Sequence, residues 1–235
     1  MLFFFKEKPI EITAFAKSSY AFAHEHSPII PIKENLPKWW KNTPPGQFNW
    51  ENFSTSTSTK NCPGIIQTIT SGFLMSLWSD LALEYNTMEY KWAFSDKISR
   101  VDNHKQEQSP GFYEDHWHFK VVSPWFFKTS VKLIYTSPFY HHKSPLPFIT
   151  PYGITTPQKG YTSSNLFLFA PKTKQTTRVM ITKGTPLMHI IPLTEKKIIF
   201  KSEVVSDEEF ARISNTIGVS NRFVGRGIKN IRDEP

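Results

Sequence analysis

A single cysteine, Cys62, stands in a chain of 235 residues. A disulfide within the chain and a cysteine-built zinc site are therefore excluded, and the chain fits a reducing compartment or a particle assembled in one. Long apolar runs are missing as well. No stretch approaches the roughly 18 residues of a membrane-spanning helix. The Met1–Lys6 run is too short for the apolar region of a signal peptide, and its charge follows that run instead of leading it. The expectation is a soluble protein made inside a cell. There is no internal repeat and no complete catalytic motif.

Acids are the next scarcity. Between Lys120 and Lys201 the chain carries twelve Lys and Arg but one acid, Glu195. The residues before that block hold eleven basic and thirteen acidic side chains, and those after it five and six, so the formal charge of +8 originates in the middle. A basic middle predicts a surface that meets an anionic partner through Lys120, Lys128, Lys132, Lys143, Lys159, Lys172, Lys174 and Arg178. Trp125, Phe126, Phe127, Tyr135, Phe139, Tyr140 and Tyr161 are interleaved with these cations, the combination that holds single-stranded nucleic acid. The competing expectation is that the rings are core and the lysines cover strand faces and edges.

What the chain has in quantity is aromatic rings and proline. Phe, Trp and Tyr make up 15% of it, and there are 18 prolines. Large rings fill a core with few residues, and proline excludes long helices. Strands are predicted within 2–16, over 72–78 and 87–95, at 117–121, and as one strand or a pair over 125–135. Further strands are expected at 166–169, 178–182, 187–191 and 196–205, where bulky and polar residues alternate. Leu36–Lys41 reads as one helical turn with proline near its start, and 64–71 as a short helix. Ser54–Thr59 reads as a flexible loop, and 100–111 as a polar one. Ser206-Asp207-Glu208-Glu209 is a capping box opening a helix through Phe210, Ile213 and Ile217 to Gly218, followed by a docking tail with Arg222, Arg226, Lys229 and Arg232. The sum is a mainly β fold: an antiparallel jelly-roll-like β-sandwich (a double-stranded β-helix) with few short helices and one C-terminal helix. Residues 1–205 form the sandwich, with a Pro/Trp-rich extended arm at 27–60. Residues 206–235 form the helix and tail.

Three histidines are the candidate metal ligands. His116 and His118 share a strand face, and His189 opens a later strand, with Glu114 or Asp115 nearby. An H-x-H pair with a later histidine is the ligand pattern of cupin-type metal sites. The carboxylate that pattern places shortly after H-x-H is absent here. His141-His142 would point to opposite faces of a strand, and His24-Glu25-His26 has strand spacing without a partner; both read as surface loops. Cys62 precedes Pro63 at a helix start and reads as a buried structural thiol.

Four segments resemble, in order, a family of tailed bacteriophages, especially those of marine cyanobacteria, built on a domain of unknown function. They are Leu36-Pro37-Lys38-Trp39-Trp40-Lys41; Asn61-Cys62-Pro63-Gly64 with Thr70-Ser71-Gly72-Phe73; Ser123-Pro124-Trp125-Phe126-Phe127-Lys128-Thr129; and Lys183-Gly184-Thr185-Pro186-Leu187-Met188-His189-Ile190-Ile191-Pro192. The chain departs from the family at Ser130-Val131-Lys132, where a small glycine-containing turn belongs. The resemblance implies a phage origin and a β-rich fold, with no catalytic residues to carry over. The expected role is a non-enzymatic structural or virion-associated protein that works without a cofactor. It would be made in the host cytoplasm and assemble with other phage structural proteins and with its own copies. A cupin-like metal enzyme and a nucleic-acid or carbohydrate binder are the alternatives.

Overall fold

A computed structural model describes residues 8–55, 57–108, 110–155 and 161–212, with the backbone alone at 55, 106 and 161–163. It is mainly β, with several antiparallel sheets and few, short helices. The longest described helix, Pro63–Thr70, has eight residues. The proline-rich composition predicts this brevity. Pro37 precedes the Lys38–Asn42 turn, and Pro63 starts the Pro63–Thr70 helix where its missing N–H costs nothing.

Two long bent ladders organise the sheets. In the first, Phe73–Ser76 pairs with Pro186–Pro192 and Leu81–Tyr85 with Thr177–Ile181, all antiparallel. The ladder turns at Leu77, whose amide donates to the Thr185 carbonyl (2.9 Å) while Gly184 N–H donates to Leu77 (2.7 Å). Gly184 supplies the turn's positive φ of +84°. In the second, His116–Val121 pairs with Leu166–Pro171, and Trp125–Thr129 with Tyr161–Ser163. It turns at Ser123 and Ser164. Asn165 Oδ1 accepts from Ser123 N–H (3.1 Å), and Ser164 Oγ donates to the Trp125 carbonyl (3.0 Å). This corner touches the first ladder: both serine hydroxyls lie 3.6 Å from Met75 Sδ in its Phe73–Ser76 strand.

Other strands extend these ladders. Ile30–Pro31 pairs with Phe73–Leu74, Leu133–Thr136 with the His189–Pro192 end, and Gly153–Thr155 with Leu133–Tyr135. Tyr90–Phe94 lies beside Leu81–Tyr85, and Val101–Asn103 beside Phe119–Val121. Ile10–Lys17 joins the second ladder next to Trp125–Thr129. On its other side it runs parallel to Ile198–Val205, the one parallel pairing in the described sheets. All sheets except the small Phe48–Asn49/Ser54–Thr55 hairpin feed one apolar cluster, from Ile12 and Ala14 through Trp78, Tyr85, Phe119 and Trp125 to Ile190.

Several expectations need correction. His24-Glu25-His26 ends a helix, Ala21–His26, and is not strand-like. Ser54–Thr55 pairs with Phe48–Asn49, so the 54–59 stretch starts as a strand. Val101–Asn103 lies inside the stretch read as polar loop. Half of the capping box forms. Ser206 Oγ accepts from Glu209 N–H (3.1 Å), but the Glu209 carboxylate turns to Arg212 at 2.6 and 2.7 Å. Asp207 instead caps a distant turn, accepting from Ser18 Oγ (2.8 Å) and Ser19 N–H (3.0 Å). Phe210 packs edge-on against Phe126. The apolar run at 2–5, Lys159, Ile213 to Gly218 and the tail residues Arg222, Arg226, Lys229 and Arg232 lie outside the described residues.

Candidate functional site

The structure separates the predicted histidine trio. His116 and His118 lie on one strand of the second ladder, and His189 lies on a strand of the first. Each is held by its own surroundings. His116 Nδ1 is 2.7 Å from Asp115 Oδ1, and that hydrogen bond holds the Asp115 carboxyl below its usual range. His118 is buried, stacks on Phe169 at 4.4 Å and donates from Nε2 to the Tyr113 carbonyl (3.1 Å). His189, also buried, donates from Nε2 to the Ser71 carbonyl (2.7 Å). Among the described residues no group of three His, Cys, Asp or Glu side chains could hold a metal ion. The three imidazoles face separate partners, Asp115, the Tyr113 carbonyl and the Ser71 carbonyl, instead of a common point. Cys62 is exposed, contrary to the expected buried thiol.

A different histidine set does gather. The chain turns at Phe139–His141 as a 3-10 helix, so His141 and His142 do not alternate as strand neighbours would. Both sit close enough to interact, and His189 also acts on His141. Trp39 Nε1 donates to the Tyr140 carbonyl (2.7 Å), tying this turn to the Lys38–Asn42 helix. The Nε2 atoms of His141 and His142 are buried and without a hydrogen-bond partner among the described residues. Burial first, then the neighbouring His189 and His142, push the His141 pKa down to about 4; burial also lowers His142 and His189.

These imidazoles stay neutral in the fold where the unfolded chain would already be charged. Their stabilisation is complete above the unfolded value of about 6.5 and is lost as pH falls from there toward 4. The urea midpoint of unfolding is expected to hold steady from pH 8 to about 6.5 and then decline. His141→Gln, which cannot titrate, is expected to flatten that decline. Equal slopes in the two proteins would contradict the cluster.

Several strands of the basic block lie against strands from the acid-rich first part of the chain. Lys201 meets Glu11 (3.1 Å), Arg178 meets Glu84 (2.7 Å), and Lys120 stands opposite Asp102 in the ladder. Lys172 donates to the Glu114 carbonyl (2.9 Å) and lies over Trp117. Lys128, Lys132, Lys143 and Lys174 are exposed on other strands and loops. The interleaved rings divide too. Trp125, Phe127 and Tyr135 are core, while Phe139 is exposed.

The most distinctive exposed feature is the Phe48–Asn49/Ser54–Thr55 hairpin. Trp50 and Phe53 are 76% and 79% exposed, and Phe48 packs edge-on against both. Polar side chains hold the backbone beneath them. Asn49 Oδ1 accepts from Glu51 N–H (2.8 Å), and Ser58 Oγ donates to the Pro44 carbonyl (2.7 Å) across the base. Phe53 takes a φ of +49°, a conformation a bulky residue adopts at a cost. Sequence reading missed this hairpin because its strands have two residues each. The usable signal was Phe, Trp and Phe spaced through Asn and Glu. Among the described residues no helix is long and apolar enough to cross a membrane. Family models, curated proteins and solved structures were compared with this chain, and none matches it.

Proposed function

We propose that this chain is a non-enzymatic structural or virion-associated protein of a tailed phage, assembling with neighbouring proteins through protein–protein contacts. A jelly-roll-like β-sandwich is the finer fold this reading adopts, supported by two bent ladders that share one core. The observation that carries the function is the aromatic hairpin. Two large rings stand in solvent, and the backbone of one of them, Phe53, is kept in a costly conformation. Buried aromatic anchors supply much of the energy of protein contacts, and a preorganised backbone lowers the cost of docking them. The four segments that carry the phage resemblance give the setting. Leu77, Gly184 and Ser123 from those segments or beside them hold the corners of the ladders, which accords with a structural role for the motifs.

The test is the double variant Trp50→Ser, Phe53→Ser. Neither ring is part of the core, so the melting temperature is expected to stay within about 2 °C of the parent. Incorporation into phage particles, read by quantitative blotting, is expected to fall at least about tenfold. Wild-type incorporation of a folded double variant would remove the hairpin from the account.

A further inference from the structure

We infer that the aromatic hairpin of one copy docks on the outer face of the Thr177–Ile181/Leu81–Tyr85/Tyr90–Phe94 sheet of the next copy. This rests on the reading of the hairpin as a contact surface, and it names the partner. The sheet buries one face, where Leu81, Leu83 and Tyr85 belong to the core. Side chains alternate along a strand, so Ala82 and Glu84 point the other way. The register aligns Met180, Ala82 and Ala93 in one row and Arg178, Glu84 and Lys91 in the next. Two adjacent alanines leave a trough among larger neighbours. Its volume is ≈ 410 Å³, enough to seat aromatic rings. Met180 is 65% exposed beside it, and Trp92 lines it from the edge strand.

The hairpin carries what the trough lacks. Trp50 and Phe53 project large rings, and the trough offers a floor of small side chains with a thioether at its side. Methionine sulfur makes favourable contacts with aromatic rings. Charge agrees with shape. The hairpin, residues 48–55, contains one acid, Glu51, and no base. The trough is lined by two cations, Lys91 and Arg178, and one acid, Glu84. Arg178 holds Glu84 at 2.7 Å, whereas Lys91 meets Glu89 only at 3.7 Å, so Lys91 is the cation that receives Glu51. Trp50, Phe53 and Met180 all stand in solvent within one copy, so a hairpin does not fill its own trough and the match is made between copies. The two surfaces differ, which makes the contact head-to-tail. Successive copies then close into a ring or run on as a filament.

The test is light scattering on the purified full chain over about 1–100 µM. The mean mass is expected to rise with concentration. The hairpin variant Trp50→Ser, Phe53→Ser lacks the rings. The trough variant Met180→Glu, at an exposed position, sets an acid against Glu51, and Ala93→Glu fills the trough from the edge strand. Each variant alone is expected to stay monomeric. Mixed in equal amounts, the hairpin variant and either trough variant are expected to form a dimer of one of each, because the first keeps an intact trough and the second an intact hairpin. A wild-type chain that stays monomeric throughout would overturn the inference. So would self-association that survives both trough variants, or folded variants that do not associate when mixed. Particle incorporation separates this failure from failure of the hairpin's role. Incorporation lost in the hairpin variant but normal in both trough variants would overturn the partner named here and leave the hairpin as a contact for another protein.

Discussion

Replacing Gly72 with alanine is expected to destabilise the protein by about 3–5 kcal/mol, a large share of the stability of an ordinary domain. Two causes add. Gly72 has a φ of +85°, where a Cβ costs about 1–2 kcal/mol. That Cβ would also stand 2.1 Å from the Ile190 carbonyl oxygen, which is main chain and has no rotamer to swing away. The neighbouring bonds leave little slack. Ile32 N–H donates to the Gly72 carbonyl (3.0 Å), and His189 donates to Ser71 next door. Relief of the clash would have to move the Phe73–Ser76 strand away from Pro186–Pro192. Gly184→Ala is the matched control. Its φ is +84°, but a Cβ there meets nothing within 4 Å, so only the conformational cost of about 1–2 kcal/mol is expected. Urea unfolding of both variants measures the difference. Equal losses would show that the close approach of Gly72 to Ile190 is wrong.

The second large effect is at Trp78. Its side chain is fully buried, stacks with Phe94 at 6.4 Å and donates from Nε1 to Ser99 Oγ (2.8 Å). Trp78→Ala removes a bicyclic ring and leaves a cavity, at an expected cost of about 3–5 kcal/mol. Ser99→Ala keeps the ring but leaves the indole N–H without its partner in a dry site, for about 1–3 kcal/mol. The two losses are expected to be less than additive in the double variant, because each destroys the same hydrogen bond. Full additivity, read from denaturant midpoints, would deny the bond. Trp50→Ala gives the contrast: a tryptophan of equal size, largely in solvent, whose loss is expected to change stability by no more than about 0.5 kcal/mol.

The strands with strong alternation were legible in the sequence. Trp117, Phe119 and Val121 share a ladder strand, the Leu187–Ile191 run lies inside Pro186–Pro192, and Ile198–Val205 lies inside the expected 196–205. The helix at Pro63–Thr70 was legible from its proline start and apolar clusters. Leu81–Tyr85 was not read at all. It is a short strand one bend beyond Phe73–Ser76, and nothing local reveals that a ladder continues through a corner. The pairing of Ile10–Lys17 with Ile198–Val205 joins segments almost the whole described chain apart, so its register depends on the fold as a whole. The same holds for the sites. His116 and His118 looked like ligands because local spacing fixes only which face a side chain takes. His141 and His142 looked like surface residues because a 3-10 turn was not foreseen. Part of the charge excess of the middle block is paired across strands, Lys201 with Glu11 and Arg178 with Glu84, which linear sequence does not reveal.

The proposed role turns on whether this chain is part of a phage particle. Mass spectrometry of gradient-purified particles measures that directly. Peptides from this chain are expected in the particle fraction, in constant ratio to the other virion proteins and retained through a high-salt wash. Peptides found in the infected-cell lysate but absent from purified particles would contradict it.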